Sequence, residues 1–333
     1  MGATEPVDHA TRPRRVLIVF NPIAGRRRQR LFAQTVDALK DRGCVLDVQV
    51  TQGPGDATRI SRAAVAAGNF DVIVAAGGDG TINEVIQGMT CSGQGAPGDA
   101  ASHDGVYDGP AFATIPFGTV NVLALDIGLK QQARDMADTI VGSAEVLAKV
   151  GVAEGDNVGR TFLITAGVGL DSAAVKYLKT RLKRVFSWGA YIVSMIMALI
   201  RDGDVELEAE IDGQPVRGST IIITSVSRFG GPHVVAPDAC IEGDKLSVLV
   251  ALGFGRRNLM RYGIAFALGK VPDIPDKIQQ EFDEVRVIGP VGYPVQIDGD
   301  GYGTVPVSFR LAPARLRLKV PESYVAGTKK PAG

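Results

Sequence analysis

A strand-like apolar run that leads directly into a glycine-rich turn and a helical pattern sets the strongest limit on the fold. The run is Asp-Val-Ile-Val-Ala-Ala at residues 71–76, and Gly-Gly-Asp-Gly-Thr-Ile-Asn-Glu-Val follows at residues 77–85. Such a strand-to-helix turn is typical of phosphate sites in α/β sheets, because glycines admit close backbone N–H groups and the helix start adds positive potential. A carboxylate beside phosphate needs a cation between them, so Asp79 predicts a Mg²⁺-nucleotide. The alternative is an ordinary turn with an aspartate cap.

Three more strand-like runs in the first part of the chain also end in unusual loops. The four runs cover residues 16–20, 45–50, 72–76 and 111–115, with helical patterns between them. This alternation predicts an α/β domain, a parallel sheet with helices on both faces. Because the carboxyl ends of parallel strands meet at one edge, we expect one crevice lined by four loops. These loops are residues 21–25, 51–57, 77–85 and 116–121.

From about residue 144 the pattern changes to short, alternating, turn-bounded segments, which predict a mostly antiparallel, sandwich-like β domain. Two helices are expected within it, near residues 180–201 and 256–268. The predicted organisation is a disordered tail at 1–14, a nucleotide-binding domain at 15–142, a β-rich lipid domain at 143–320 and a C-terminal tail at 321–333. The predicted strands cover residues 162–166, 205–211, 219–226, 246–252, 284–288, 294–297, 305–311 and 316–320.

Two further segments leave alternatives open. Residues 89–111 are rich in Gly, Ser, Asp and Ala, and form either a mobile flap or, as we favour, a surface insertion. The apolar run at residues 185–200 covers roughly 24 Å as a helix, short of a bilayer core of about 30 Å. The run is therefore too short for a transmembrane span, and a buried core helix is favoured there. Basic residues before it, with Trp188 and Tyr191, make transient contact with an anionic membrane the alternative.

Composition excludes several function classes. Lys plus Arg and Asp plus Glu both number 36, so general nucleic-acid binding has no electrostatic support. Cys44, Cys91 and Cys240 are odd in number, far apart and without metal-ligand spacing, which argues against a disulfide framework or a zinc site. A reducing cytoplasm is the expected compartment. Residues 1–15 are polar and charged, so we expect neither a secretory signal nor an anchor there.

Taken together, the loops resemble the diacylglycerol kinase catalytic family, which includes bacterial lipid kinases and sphingosine and ceramide kinase relatives. Residues 21–25 resemble its Asn-Pro-x-Ser-Gly loop, residues 116–121 its Pro-x-Gly-Thr-x-Asn loop, and residues 298–300 its Asp-Gly-Glu motif. The resemblance runs from about residue 16 to about residue 320. It implies ATP- and Mg²⁺-dependent phosphorylation of a lipid hydroxyl, on diacylglycerol, a sphingoid base or ceramide. The membrane contact left open above would then be at the inner face.

Four positions depart from the family pattern. Ala24 replaces a small hydroxyl residue, and Val122 stands where many diacylglycerol kinases carry Asp. An apolar residue at this position resembles the sphingosine-kinase-like branch instead. Gly243 and Asp244 reverse the order of a loop that holds a structural Mg²⁺ in some bacterial members. Asp300 is one methylene shorter than the family's Glu.

The resemblance assigns roles to particular residues. Asp298 is the expected general base, with Asp79 second. Asp300 is the expected Mg²⁺ ligand, and Asp244 would hold a second metal. Asp171, in a Gly-x-Gly-x-Asp segment, would face the substrate, or else cap a helix. The expected ATP-binding residues are Asn21, Pro22, Gly25, Thr51, Gly77, Gly78, Gly80, Thr81, Asn83, Glu84, Gly118, Thr119 and Asn121.

Alternatives remain for motifs and function alike. Asn83 and Glu84 could reach the nucleotide, or Glu84 could cap its own helix. Residues 298–300 alone would be an Asp-Gly hairpin turn. The arginines at 26–28 and 30 could face a phosphate or solvent. At the level of function, the competitors are an NAD kinase, which shares the Gly-Gly-Asp-Gly-Thr motif, and a catalytically silent lipid- or nucleotide-binding regulator.

Overall fold

The computed structural model describes residues 12–24, 28–92, 96–177 and 205–328. Gly25, the predicted helix near residues 180–201 and its aromatic flank lie outside these residues. Within the described ranges, no helix is both long and apolar enough to cross a membrane.

The first domain is built on a six-stranded sheet. In sheet order its strands are β2 (Val45–Val50), β1 (Arg15–Phe20), β3 (Val72–Gly77), β6 (Ala111–Pro116), β20 (Leu316–Lys319) and β7 (Glu145–Ala148). Neighbours pair in parallel except β7, which is antiparallel to β20. Every residue of β3 and β6 is buried, as expected of parallel strands covered on both faces. The predicted α/β domain is confirmed.

Helices follow the first three strands in turn. β2 and β3 lie on opposite sides of β1, so the strand order reverses between β1 and β3. In sheets of this kind the crevice for a ligand lies at that reversal, beyond the carboxyl ends of the strands. The helices of this domain are α1 (Gln29–Asp41), α2 (Asp56–Ala67), α3 (Asp79–Thr90), α4 (Val122–Asp126) and α5 (Ala133–Val141).

The second domain is a sandwich of two antiparallel sheets around a shared apolar core, as predicted. Val248 and Val295 enter this core from one sheet, and Val285 and Phe309 from the other. The first sheet is β15 (Lys277–Phe282), β14 (Leu246–Ala251), β13 (Thr220–Thr224), β10 (Thr165–Val168), β17 (Pro294–Ile297) and β18 (Asp300–Thr304). The second is β12 (Gln214–Gly218), β11 (Leu207–Ile211), β16 (Glu284–Gly289), β19 (Val307–Leu311), β8 (Gly151–Gly155) and β9 (Val158–Phe162).

Short elements complete the chain. The predicted helix near residues 256–268 is confirmed as α7, Gly255–Ala267. The predicted C-terminal tail contains a helix. These elements are α6 (Leu170–Tyr177), α7 (Gly255–Ala267), a 3-10 turn (Val271–Asp273), α8 (Glu322–Thr328), and the small hairpin β4 (Ser102–His103) and β5 (Val106–Tyr107).

The single strand predicted at residues 162–166 is wrong. The chain instead leaves one sheet after Phe162 and joins the other at Thr165. The N–H groups of Leu163 and Ile164 donate to the carboxylate of Asp298 at 3.2 and 3.0 Å. Since these groups bind a side chain, the strand is interrupted at this point.

The strand predicted near residues 316–320 exists but lies in the first domain's sheet, not in the β-rich domain. Leu318 pairs in parallel with Phe112 of β6, and Leu316 pairs antiparallel with Ala148 of β7. The apolar pattern predicted a strand, but the choice of partner depends on which sheet edge is free in the folded chain. The last strand, β20, therefore completes the sheet of the first domain by lying between β6 and β7.

Residues 89–111 pack on the segment that precedes β20. Tyr107 N–H donates to the Arg315 carbonyl at 2.9 Å, and Arg315 N–H donates to the Gly105 carbonyl at 2.7 Å. The Tyr107 hydroxyl donates to the Gly98 carbonyl at 3.1 Å. The described part of this segment is thus a surface insertion held by hydrogen bonds, the alternative that the sequence favoured.

Candidate active site

The first predicted loop is fastened to the start of α3. Asn21 donates from Nδ2 to Thr81 Oγ1 at 3.0 Å, and its backbone N–H donates to the carbonyl of Ala76 at 2.9 Å. Asn21 Oδ1 accepts the N–H of Ile23 at 3.0 Å, which closes a local turn around Pro22. The first and third loops therefore meet, as the sheet topology predicts.

The third and fourth loops touch through their glycines. The N–H of Gly118 donates to the carbonyl of Gly77 at 3.1 Å. A Cβ on Gly118 would lie 2.5 Å from Gly78 Cα, so a larger residue there would push the two loops apart. Asp79 Oδ1 accepts the N–H of Val122 at 3.1 Å, which ties the third loop to the start of α4. These glycines hold one loop against the other.

Glu84 caps a neighbouring helix. Its Oε1 accepts the N–H of Gly55 at 3.0 Å and its Oε2 accepts the N–H of Ala57 at 3.2 Å, at the N-terminus of α2. The alternative that Glu84 caps its own helix is wrong, since α3 has no side-chain hydrogen bond at its N-cap, Gly78. Both carboxylate oxygens are already engaged, so the geometry gives no support to the predicted nucleotide contact of Glu84. The bonds do bring the second loop against α3.

Two further contacts complete the wall of the crevice. Thr51 of the second loop is buried, and its N–H donates to the carbonyl of Phe20 at 2.9 Å. Arg28 donates from Nη1 to the carbonyl of Pro116 at 3.1 Å and also to Gln131 Oε1. Arg28 therefore binds the fourth loop, whereas the sequence left a phosphate or solvent as its alternatives.

Asn121 carries a buried acceptor that has no partner in the described part of the chain. Its backbone is left-handed, with φ 55°, and its Nδ2 donates to the carbonyl of Gly118 at 2.8 Å. Its Oδ1 is buried and accepts no hydrogen bond from any described residue. An unpaired buried oxygen costs about 1–3 kcal/mol, so a ligand that donates a hydrogen bond here would be stabilised. Thr119 of the same loop is exposed.

Asp298 is sealed inside the second domain. With Gly299 it forms the two-residue turn between β17 and β18, and the φ values of 47° and 85° fit the positive values that such hairpins need. The Asp298 side chain is nevertheless only 3% exposed. Its Oδ1 accepts the N–H groups of Ile164 and Thr165 at 3.0 and 2.9 Å, and its Oδ2 that of Leu163 at 3.2 Å. The predicted hairpin is present, with its carboxylate turned inward.

Asn83 joins the two domains through the same carboxylate. Its Nδ2 donates to Asp298 Oδ2 at 2.9 Å and to the carbonyl of Thr161 at 3.0 Å. Its Oδ1 accepts Arg160 Nε at 2.6 Å, and the Arg160 guanidinium lies 3.9 Å from the centroid of the Tyr302 ring. Every polar atom of the Asn83 side chain is thus engaged by protein, and the geometry gives no support to the prediction that it reaches a nucleotide.

The Asp298 carboxylate has no free lone pair. A carboxylate offers about four acceptor positions, and four N–H donors occupy them here. Burial raises the pKa of Asp298, while hydrogen bonds from Thr165, Asn83 and the neighbouring N–H groups act against that rise. A substrate hydroxyl would find no position on this carboxylate to receive its proton. The geometry therefore does not support Asp298 as first choice for the base, and Asp298 instead connects the two domains.

Asp79 and Asp300 are the carboxylates that remain at the crevice, and both are partly exposed. Burial, followed by the charge of Asp298, raises the pKa of Asp79 to about 7, and the N–H groups of Val122 and Asn121 oppose the rise. A Cβ on Gly80 would lie 2.5 Å from Asp300 Oδ2, so Asp300 rests on the first turn of α3. The two carboxylates come from different domains and meet at one helix start.

The predicted second-metal residue lies away from the crevice, and the side chain of the predicted substrate residue lies outside the described residues. Asp244 is fully exposed and pairs with Arg315 at 3.5 Å. Within the described residues, no cluster of three or more metal-ligating side chains occurs, so the structure gives no support to a second metal at Asp244. Asp171 is the second residue of α6, and its side chain lies outside the described part.

Sequence reasoning missed Arg160 and Tyr302. Arg160 belongs to the short strand β9 and meets Asn83 across 77 positions of sequence. No local pattern marks such a pair, because a lone arginine on an alternating strand usually faces solvent.

Two family models match the sequence of this chain. Residues 15–153 match the diacylglycerol kinase catalytic domain, and residues 164–320 match the YegS C-terminal NAD kinase beta sandwich-like domain. The first domain is a diacylglycerol kinase catalytic domain. The predicted resemblance to that family and the predicted two-part architecture are thereby confirmed.

Relatives of the diacylglycerol kinase family match nearly the whole chain. A diacylglycerol kinase of Bacillus subtilis (strain 168) is 26% identical over 89% of this chain and 93% of its own length. One of Staphylococcus carnosus (strain TM300) is 23% identical over 93% and 96%. A crystal structure of a diacylglycerol kinase from Bacillus anthracis str. Sterne has a TM-score of 0.67 at 18% identity, covering 93% of this chain and 98% of that one. That likeness shows the shared fold.

Proposed function

We propose that this protein is a lipid kinase that transfers the γ-phosphate of ATP to the hydroxyl of diacylglycerol. The curated relatives carry that name and match the chain nearly end to end. The observation that carries the proposal is the meeting of Asp79 and Asp300 at the start of α3, beside two loops packed glycine to glycine.

The donor set fits a nucleotide with Mg²⁺. Mg²⁺ in kinases usually takes one or two carboxylates, with phosphates and water as the other ligands. Asp300 would supply one such carboxylate, and Asp79 would stay outside the metal's coordination shell to act on the substrate hydroxyl. The unpaired Oδ1 of Asn121 offers an acceptor for a nucleotide N–H or O–H. When bound, Mg²⁺ would neutralise charge on the transferring phosphate.

We assign the role of general base to Asp79. A general base works best when its pKa lies near the operating pH, and the raised pKa of Asp79, about 7, meets that condition. The residue is partly exposed at the crevice and its Oδ1 accepts the N–H of Val122, so Oδ2 would accept the proton of a substrate hydroxyl. Asp298 and Asn83 would hold the second domain, and thus Asp300, against α3.

The direct test incubates purified protein with γ-labelled ATP, Mg²⁺ and diacylglycerol in mixed micelles, with a sphingoid base, ceramide and NAD in parallel reactions. Labelled phosphatidic acid is the expected product. Asp79→Asn should lower the rate roughly 100-fold or more, because general-base catalysis contributes about 10²–10⁴. Asp47→Asn, an exposed carboxylate on β2, is the matched control and should retain full activity.

Three outcomes would contradict the proposal. Labelling of NAD without any lipid would establish an NAD kinase. Nucleotide binding without transfer to any of these acceptors would establish a silent binding protein. Full activity of Asp79→Asn would remove the assigned base.

A further inference from the structure

One helix of the second domain presents an apolar face to solvent. Met260, Ile264 and Leu268 follow one another at intervals of four residues along α7 and its C-cap, and their side chains are 52%, 53% and 65% exposed. Residues spaced by four share one face of a helix. Phe254, directly before α7, is also exposed. Single exposed apolar residues are ordinary, whereas a continuous stripe of large ones marks an interaction surface.

The orientation of α7 is fixed by its other face, so the stripe is not a misplaced core surface. Leu259 is buried, and the ring of Phe266 packs against Phe229 at a centroid distance of 5.9 Å and His233 at 4.9 Å. The Tyr262 hydroxyl donates to the carbonyl of Asp276. A helix anchored in this way keeps its outer face exposed.

The surroundings of this face are positively charged. Residues 253–277 contain five basic and two acidic side chains, whereas the whole chain has as many acidic as basic residues. Arg261 and Arg257 are exposed and lie three and seven residues before Ile264. This spacing puts both on the same helix face as the stripe. Arg261 is paired with Asp276, and Asp273 is the other acidic group nearby. Large aliphatic side chains bordered by arginines complement the surface of an anionic bilayer.

The face also lies one loop away from the candidate active site. A Cβ on Gly230 would lie 2.8 Å from the Phe266 ring, and one on the next residue, Gly231, would lie 3.8 Å from a methyl of Val120. Val120 belongs to the fourth loop of the crevice. The loop that contains both glycines is therefore packed between α7 and the site.

We propose that the α7 face, Met260, Ile264 and Leu268 with Arg257 and Arg261, docks this protein on an anionic lipid membrane beside the mouth of the crevice. This proposal rests on the proposed function, since a kinase of membrane lipids must meet its substrate at the bilayer surface. The apolar side chains would enter the headgroup boundary, and the arginines would bind lipid phosphates. The catalytic loops take no part in this contact.

The test measures co-sedimentation of the full chain with vesicles of phosphatidylglycerol mixed into phosphatidylcholine, and with phosphatidylcholine alone. Binding is expected to the mixed vesicles and to be lost at high salt. A triple variant, M260S/I264S/L268S, should bind roughly 10-fold or more weakly, since three large apolar side chains leave the interface. Activity on diacylglycerol in vesicles should fall with binding, while activity on a dispersed short-chain diacylglycerol should stay within about two-fold.

A matched control removes exposed apolar residues from other surfaces. The control is V48S/L147S/V291S, three residues that are exposed on β2, on β7 and in the loop after β16. It should bind vesicles like the wild type.

Several results would overturn the docking proposal. These are no vesicle binding by the wild type, equal binding by the α7 triple variant, or equal loss in both triple variants. So would a wild-type dimer in light scattering that the α7 variant abolishes without any change in vesicle binding, because the face would then bind a second copy. If the wild type phosphorylates neither the vesicle-borne nor the dispersed diacylglycerol, the proposed function itself is contradicted.

Discussion

Replacement of Asp298 by Asn should destabilise the protein strongly, even though the change is nearly isosteric. Each oxygen of the Asp298 carboxylate accepts two N–H groups. Of these four groups, three belong to the backbone of residues 163–165 and one to the Asn83 side chain. An asparagine has one oxygen and one NH₂ group. Whichever way the amide turns, its NH₂ faces two buried N–H donors and satisfies neither.

The magnitude follows from those two donors. Each unsatisfied buried N–H costs about 1–3 kcal/mol, so two cost about 4 kcal/mol, in the range of about 3–5 kcal/mol found when a buried charge network loses one partner. With a urea m-value of about 3 kcal/mol/M, the unfolding midpoint should fall by about 1.3 M.

The assay is urea unfolding followed by circular dichroism, with kinase activity measured in parallel. Asp300→Asn is the matched control, since it changes the partly exposed carboxylate two positions along the same hairpin. Its midpoint should move by less than about 0.3 M, in keeping with the small effects of partly exposed sites. We expect both variants to lose activity but only Asp298→Asn to lose stability. An unchanged midpoint for Asp298→Asn would refute the assignment of this carboxylate to the domain junction.

The remaining predictions concern the crevice and the same junction. Asp79→Asn should be more stable than the wild type by up to about 4 kcal/mol at pH 8 and not at pH 4. The pKa of Asp79 is raised to about 7 in the folded state, so the folded state binds an extra proton between about pH 4 and about pH 7, and wild-type stability falls as the pH rises through that range. Urea unfolding midpoints that change equally with pH in the wild type and the variant would contradict this prediction. Arg160→Met should lose about 2 kcal/mol with its charged hydrogen bond, measured by urea unfolding, and an unchanged midpoint would count against that bond. Gly118→Ala should weaken ATP binding, measured by calorimetry, because its Cβ would meet the backbone of the third loop. The same clash should lower the free energy of unfolding by about 1–3 kcal/mol. Gly159→Ala, at an exposed glycine outside the four loops whose Cβ would make only an ordinary contact with Pro97 at 3.8 Å, is the control and should change neither quantity.

The junction changes how the glycine-rich motif is understood. Spacing alone predicts that its Asn and Glu are nucleotide ligands one turn beyond the loop. In the folded chain Asn83 binds Asp298 of the other domain, and Glu84 caps α2. The motif therefore carries structural residues on α3, and Asp79 at its start is the residue proposed to act in catalysis.

The sequence by itself determined the local elements and the family. The strands at residues 45–50 and 294–297 were predicted with their observed bounds, because an unbroken apolar run or an alternating one carries its own signal. The Asp-Gly pair at 298–299 predicted its turn in the same way, since few residues adopt positive φ easily. The motif order along the chain was enough to identify its resemblance to the diacylglycerol kinase catalytic family.

Tertiary structure decided which groups meet. The strand near residues 316–320 was visible in sequence, but its place beside β6 depends on an edge left free by strands far earlier in the chain. Arg160 meets Asn83 only when the two domains pack, and Asp298 meets residues 163–165 only when β17 pairs with β10 inside the second domain. Side-chain hydrogen bonds between distant segments leave no periodic trace, so the sequence marked Asp298 as chemical, while the fold gave it four N–H donors and left Asp79 and Asp300 at the crevice.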